Sequence, residues 1–230
     1  MTAVPSASSL AARLESIRQG LPPAVTLVAV TKFLPVETIR AAYALGVRHF
    51  GESRVQEAIA KQTELTDLPD ITWHLIGRLQ TNKARKAVEH FDWIHSIDSL
   101  KLAERLNQAA LELEKIPQCC LQVKLVPDPP KSGLDVDELG PLLPQFDQLT
   151  HLKIRGLMTI PPQGANADTV HQVFTGARSL ADTINHQGLS HLHIDQLSMG
   201  MSGDYPTAIA CGATMVRLGT VLFGSRPTFS

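Results

Sequence analysis

The chain has 230 residues, 43% of them hydrophobic and 19% charged, with a formal net charge of −1 and a pI of about 6.7. That length can bury a sizeable core in one α/β domain, and the charge balance gives no general basic face for nucleic acid or an anionic membrane. No apolar run approaches the ~20 residues that cross a bilayer, Met1 to Ser6 hold no basic cluster before an apolar core, and three cysteines without framework spacing fit reduced thiols in a cytoplasm.

In chain order, Ser8 or Ser9 is expected to cap a first helix with Leu10, Leu14 and Ile17 on one face, ended by Gly20, Pro22 and Pro23. Val25 to Val30 is an apolar, β-branched run that reads as a buried strand, with Thr31 and Lys32 at its end. Pro35 opens a helix with Ile39, Ala42 and Tyr43 on its apolar face, stopped at Gly46. A second strand covers Val47 to Phe50, and Ser53 with Gln56 has the spacing of a capping box. Thr72 to Ile76 is the third strand, followed by a basic helix from about Asn82 to Val88. Trp93 to His95 is the fourth, after which Asp98 caps a helix carrying Leu102, Leu106 and Ala109.

Cys119 to Leu125 is the fifth strand, and Asp135 with Glu138 opens the next helix. Lys153 to Leu157 is the sixth, followed by a long amphipathic helix bearing Val170, Val173, Phe174, Ala177 and Leu180. His193 to Leu197 is the seventh, Gly212 stops a short helix, and Thr214 to Arg217 is the eighth. Eight strands separated by helices predict a single (β/α)8 TIM barrel over residues 1–230 with an additional N-terminal helix; a doubly wound open sheet is the competing architecture.

Chemistry in a barrel sits at the carboxyl ends of its strands. Lys32 falls at such an end, where a poorly solvated amine becomes a nucleophile toward an aldehyde, although a surface lysine opening a loop has the same local pattern. Gly51-Glu52-Ser53, Gly77-Arg78-Leu79-Gln80, His95-Ser96-Ile97-Asp98 and Met158-Thr159 are expected at other ends. After the seventh strand comes Ser198-Met199-Gly200-Met201-Ser202, with a hydroxyl at Ser198, a close-approach glycine and a helix-capping Ser202; after the eighth comes Arg217-Leu218-Gly219-Thr220. Barrel phosphate sites use the loops after these two strands. An amine, a phosphate cradle and a strand-eight arginine facing one cavity match the needs of pyridoxal 5′-phosphate (PLP). Arg217 at the pyridine nitrogen can only donate, which leaves the ring a weak electron sink.

These motifs, together with Phe50-Gly51-Glu52-Ser53-Arg54-Val55-Gln56-Glu57, Trp73 to Lys83, Lys131-Ser132-Gly133 and Gly156-Leu157-Met158, resemble the pyridoxal phosphate homeostasis family from about Leu10 to Gly224. The resemblance implies a fold type III barrel similar to the N-terminal domain of alanine racemase. It implies PLP held as an imine on Lys32, Arg217 at the pyridine nitrogen, and phosphate contacts from Ser198, Met199, Gly200, Gly219 and Thr220. Ser53 stands where the family usually has asparagine. Met158, His74 and Ser53 complete the set expected around the cofactor.

Racemases of this fold type draw a second base from another domain of a partner subunit; the chain ends at Ser230, soon after its last strand, so none is expected here. The expectation is therefore a non-catalytic PLP carrier, with PLP and possible amino acids or keto acids as its small-molecule ligands, acting as a cytoplasmic monomer. A racemase-like enzyme using Lys32 and a PLP-gated regulator of a partner protein or PLP enzyme are the alternatives. Tyr43 and Tyr205 are expected to pack. His74 and His95 could touch the ring, but hydrogen-bonded structural roles are the plainer reading. His191 and His193 would share a strand face away from the mouth, so no metal site is expected. Lys83, Arg85 and Lys86 read as a solvated helix face.

Overall fold

The computed structural model describes residues 7–128 and 132–224. Its elements run α1 (Ala7–Gln19), β1 (Thr26–Val30), α2 (Val36–Ala44), β2 (His49–Glu52), α3 (Val55–Glu64), β3 (Thr72–Leu75), a 3₁₀ turn (Thr81–Lys83), α4 (Ala84–His90), β4 (Trp93–Ile97) and α5 (Leu100–Glu112). They continue with β5 (Gln118–Lys124), β6 (Leu134–Asp135), α6 (Val136–Asp147), β7 (Lys153–Met158), α7 (Ala167–Asn185), β8 (Gln196–Ser198), α8 (Tyr205–Ala210), β9 (Met215–Leu218) and α9 (Thr220–Phe223). Strands β1-β2-β3-β4-β5-β7-β8-β9 pair in parallel in that order, and β9 pairs back onto β1 through Thr26 to Ala29 against Met215 to Leu218. The sheet therefore closes into an eight-stranded parallel barrel with helices around it, and β6 adds a two-residue edge to β5. The TIM-barrel expectation holds and the open sheet does not.

Each strand is covered on its outer face by helices and on its inner face by the other strands. This is why β4 is buried at all five positions and β5 is buried at Cys119, Cys120, Leu121 and Val123. Outward-facing Phe50, Leu75, Ile94, Leu121, Leu157 and Val216 join one core with helix residues such as Ile39, Leu102 and Phe174. The barrel lumen is a smaller cluster of Trp93, Cys120, Met158 and Met215. Cys119, Cys120 and Cys211 are all buried free thiols. Among the described residues no helix is long and apolar enough to cross a membrane.

Several local expectations are corrected. Ser8 and Ser9 lie inside α1 and do not cap it. β2 spans His49–Glu52, beginning later than Val47 and running on past Phe50 through Gly51 and Glu52. Ser53 does not cap α3; Arg54 holds the cap position and makes no side-chain cap bond. Ser99, not Asp98, caps α5, its hydroxyl accepting from the Leu102 N–H at 3.3 Å. Strand β8 starts only at Gln196, because the preceding backbone is satisfied by side chains instead of a ladder. Asp147 accepts from the His191 and Leu192 N–H groups at 2.7 and 2.8 Å, and Asn185 bonds both the N–H and the carbonyl of Ile194 at 2.7 Å. His191 and His193 therefore sit on an exposed loop, not on a strand face. Among the described residues no group of three His, Cys, Asp or Glu side chains is placed to hold a metal ion.

Candidate functional site

A cavity of about 350 Å³ opens at the carboxyl end of the barrel, between the ends of β1 and β9 and the loops that follow β2, β3 and β8. Val30, Ile76 and Ile160 form its apolar walls; Lys32, Arg217, Ser53, Ser202 and Thr220 bring polar groups; Gly77, Gly203 and Gly219 complete the lining without side chains. The size and the mixed lining suit a single-ring ligand. Five of the expected cofactor residues meet here: Lys32, Ser53, Arg217, Gly219 and Thr220. Lys131 lies outside the described residues.

Arg217 is on β9, 4% exposed, and donates from Nη1 to the Ser198 carbonyl at 2.6 Å and hydroxyl at 2.7 Å, and from Nη2 to the Thr159 carbonyl at 3.1 Å. A guanidinium has five N–H donors, so two have no partner among the described residues. Burial lowers its pKa to about 10, which leaves it cationic at neutral pH. No carboxylate pairs with it among the described residues. Asp204 acts on it only at a distance, so the buried cation without a directly paired carboxylate makes this wall electropositive and leaves donors for an acceptor that enters the cavity.

The other five expected residues are not among those that line this cavity. Ser198 is fully buried; its hydroxyl is spent on Arg217 and on His95 Nδ1 at 2.8 Å. The Met199 N–H is given to the Met215 carbonyl and its side chain is buried. Gly200 has φ of +93°, and a Cβ there would sit 2.6 Å from the Ala208 Cβ. A side chain at this position would collide with α8, so glycine lets the loop pack closely there. Met158 faces the lumen against Trp93, Cys120 and Met215. His74 is buried in the lumen, stacked on Trp93 with ring centroids 5.8 Å apart. Ser202 also differs from its expected role: Asp204 holds the cap position of α8, and the Ser202 hydroxyl accepts from the Val221 N–H at 3.2 Å.

His74 and His95 instead extend Arg217 into a chain of hydrogen bonds through the barrel. His95 Nε2 meets His74 Nδ1 at 2.8 Å, and His74 Nε2 meets His49 Nδ1 at 3.0 Å. Ser198 accepts from Arg217 and can pass its own proton to His95; each imidazole then donates to the next. The opposite direction leaves the Ser198 proton without an acceptor among the described residues. Burial lowers the pKa of His95 to about 3 and that of His74 well below its ordinary value, so both are neutral donor–acceptor links. Sequence reasoning located the strand ends but missed this chain, since it depends on which side chains point inward.

Gly77 sets how closely the β2 and β3 ends approach. A Cβ there would lie 2.3 Å from the Ser53 carbonyl oxygen and 2.7 Å from its Cα. Backbone cannot swing aside as a side-chain tip can, so Gly77→Ala is expected to cost about 1–3 kcal/mol through overpacking and to displace Ser53 from the cavity wall. Urea unfolding measures the first effect, and wild-type stability would refute it.

The family profile described as "Alanine racemase, N-terminal domain" matches residues 6–227. Among curated proteins, the chain is 55% identical over 206 residues to a pyridoxal phosphate homeostasis protein of Synechocystis sp., covering 90% of this chain and 94% of that one. It is 43% identical to the protein of the same name from Pseudomonas aeruginosa, covering 95% and 94%. Among solved structures, that of Synechococcus elongatus PipY with PLP bound aligns with a TM-score of 0.90 and 58% identity, over 94% of this chain and all of that one. A Clostridium difficile alanine racemase shares the fold, with a TM-score of 0.74 at 16% identity, over 96% of this chain and 57% of that one.

Proposed function

The chain belongs to the alanine racemase N-terminal domain family, among its pyridoxal phosphate homeostasis proteins, and from that premise we propose that it holds PLP on Lys32 and buffers or delivers it without catalysing a reaction. PLP supplies an aldehyde that condenses with an amine and a ring that withdraws electrons. Lys32, half-buried just past β1, offers the amine. Arg217, cationic at neutral pH and with two N–H groups left over, can donate a hydrogen bond to the ring nitrogen while keeping its proton. Ser202, Thr220 and the backbone at Gly203 and Gly219 line the cavity and can receive the phosphate. Ser198, Met199 and Gly200 act from behind that wall, Ser198 through Arg217 and Gly200 through α8. His74 and Met158 contribute through the lumen.

The carrier reading rests on the cavity wall. Among the residues that line it, Lys32 alone can exchange a proton with carbon; no histidine, tyrosine or carboxylate stands there as a second base. A racemase needs one base on each face of its intermediate. This barrel is read as one PLP-binding unit working as a cytoplasmic monomer, with PLP enzymes as transient acceptors. Amino acids or keto acids would enter the same open cavity.

Purified protein mixed with PLP is expected to develop a visible absorption band. Borohydride should then fix a covalent adduct in wild type and none in Lys32→Ala. No band, or the same fixed adduct in Lys32→Ala, removes the reading at its central residue. Incubation of amino acids in D2O separates the carrier from the enzyme: the carrier leaves the α-hydrogen in place, whereas rapid deuterium wash-in means catalysis.

A further inference from the structure

Lys32 sits in a turn held from outside the barrel. The Leu34 N–H bonds the Thr31 carbonyl at 2.9 Å, and Phe33, between Lys32 and Leu34, has φ of +63°. That left-handed conformation disfavours any residue with a Cβ, and a phenylalanine there stays only where its surroundings hold it. Three groups do so. Lys61 of α3, 7% exposed, donates to the Thr31 carbonyl at 2.8 Å. Glu57, one helical turn earlier, accepts from the Phe33 N–H at 2.5 Å. Glu52 at the end of β2 is fully buried and accepts from the Thr31 hydroxyl at 2.6 Å. Lys61 ties both acids together, meeting Oε1 of Glu52 and Oε1 of Glu57 at 2.8 Å each. The backbone on each side of Lys32 is therefore pinned to one buried ion cluster, and the Arg54 guanidinium lies 5.2 Å from the centre of the Phe33 ring.

We propose that Lys61, with Glu52 and Glu57, is a positioning device for Lys32: it fixes the turn in a strained form that aims the amine at the aldehyde carbon of PLP. The proposal rests on the PLP reading above and adds residues that never touch the cofactor. Condensation joins the Lys32 nitrogen to that carbon and releases the aldehyde oxygen as water, so its equilibrium depends on where the nitrogen is held. The phosphate and ring contacts, on the loops after β8 and on β9, do not depend on this turn.

The test separates the two parts with two ligands. Pyridoxine 5′-phosphate carries the same ring and phosphate but an alcohol in place of the aldehyde, so it reports binding without bond formation. The variants are Glu57→Ala and the double variant Lys61→Met/Glu52→Gln, which leaves no orphaned buried charge. Circular dichroism and thermal melts select the folded protein. In folded variants, pyridoxine 5′-phosphate affinity is expected to stay within about twofold, while adduct formation with PLP falls about 10- to 100-fold, as expected when a reacting group is misplaced by about an ångström. Equal losses for both ligands overturn the proposal, because the cluster would then support the whole cavity. Unchanged adduct formation overturns it as well. An adduct absent already in wild type removes the PLP reading and this inference with it. A variant set too unstable to melt cooperatively is replaced by Glu57→Gln, which keeps an acceptor for Phe33 but loses the charge facing Lys61. It must show the same split between ligands, to a smaller degree, or the proposal fails.

Discussion

Lowering the pH from 6.5 to 4.5 is expected to destabilise the folded protein more steeply than the same change does in His95→Gln or His74→Gln. The cause is the neutral imidazole chain in the lumen. In the unfolded chain each histidine takes a proton near its ordinary value of 6.5, whereas in the fold burial holds His95 to about 3 and His74 well below 6.5. The folded pKa values are depressed, so this contribution is fully present above pH 6.5 and is lost as the pH falls toward the folded values. Over this range the unfolded state binds more protons, and stability rises with pH. One histidine held neutral is worth up to about 1.4 kcal/mol per pH unit; because the unfolded histidine is only half protonated at pH 6.5, the loss between pH 6.5 and 4.5 is about 2 kcal/mol. His49 at the outer end of the chain adds to the slope in the same sense, since burial outweighs the nearby Asp92 in setting its pKa. The depressed carboxylates Asp67, Asp70, Asp147 and Asp195 titrate below this window, and Glu52, raised by burial, acts in the opposite direction. Urea unfolding across the window gives the comparison. Parallel curves for wild type and His95→Gln would mean that the chain does not carry this load.

The same chain shows where the sequence was readable and where it was not. Lys32 and Arg217 could be found because a buried parallel strand announces itself by its apolar run, and barrel chemistry lies at the strand ends. The residue that faces inward is a question of parity, and a shift of one residue reverses it. Moving the end of β2 from Phe50 to Glu52 keeps Glu52 in the sheet, where it meets Lys61 instead of the cavity. Ser198 is the last residue of β8, still in the sheet and fully buried, and its hydroxyl turns to Arg217 and His95. On the proposed reading the hydroxyls that receive the phosphate are Ser202, after β8, and Thr220, after β9, both of which line the cavity. Capping is ambiguous in the sequence where two competent residues are adjacent. Asp98 and Ser99 both suit an N-cap, and Asp98 instead faces Arg78 at 3.8 Å, leaving the cap to Ser99. The Ser53–Gln56 spacing matched a capping box, but Ser53 is held against the backbone of Gly77. Glu57 and Lys61 did carry a local signal, an (i, i+4) pair on α3. Only the fold turns that pair, ordinarily a solvated one, inward onto the Thr31 carbonyl.

Lys61→Met is expected to be among the most destabilising single changes in the molecule, and its cost should depend on pH. The substitution removes three hydrogen bonds and leaves Glu52, fully buried, without its cation. Breaking one side of a buried ion pair costs about 3–5 kcal/mol, most of it the penalty of the charge left behind. Glu52 has an unusual escape. Burial already raises its carboxyl pKa, and Lys61 is the largest influence opposing that rise. Without Lys61 the folded pKa moves further up, so at neutral pH Glu52 takes a proton or stays charged at high cost. A raised folded pKa contributes stability below the unfolded value, near 4.5, and that contribution disappears as the pH climbs through the folded value. The variant should therefore be worst near pH 7 and recover part of its loss near pH 5, against the trend that the lumen histidines impose on wild type. Glu52→Gln in the same background removes the orphaned charge at every pH and should restore more than half of the lost stability at pH 7. Alone, Glu52→Gln leaves Lys61 paired with Glu57 and the Thr31 carbonyl and should cost about 1–2 kcal/mol, the loss of charge-assisted bonds without a stranded ion. The four members form a double-mutant cycle read by urea unfolding at pH 7 and pH 5. A double variant no more stable than Lys61→Met would show that the cost lies in the lost contacts to the Lys32 turn, not in the stranded carboxylate. A Lys61→Met protein as stable as wild type would mean that the cluster holds nothing.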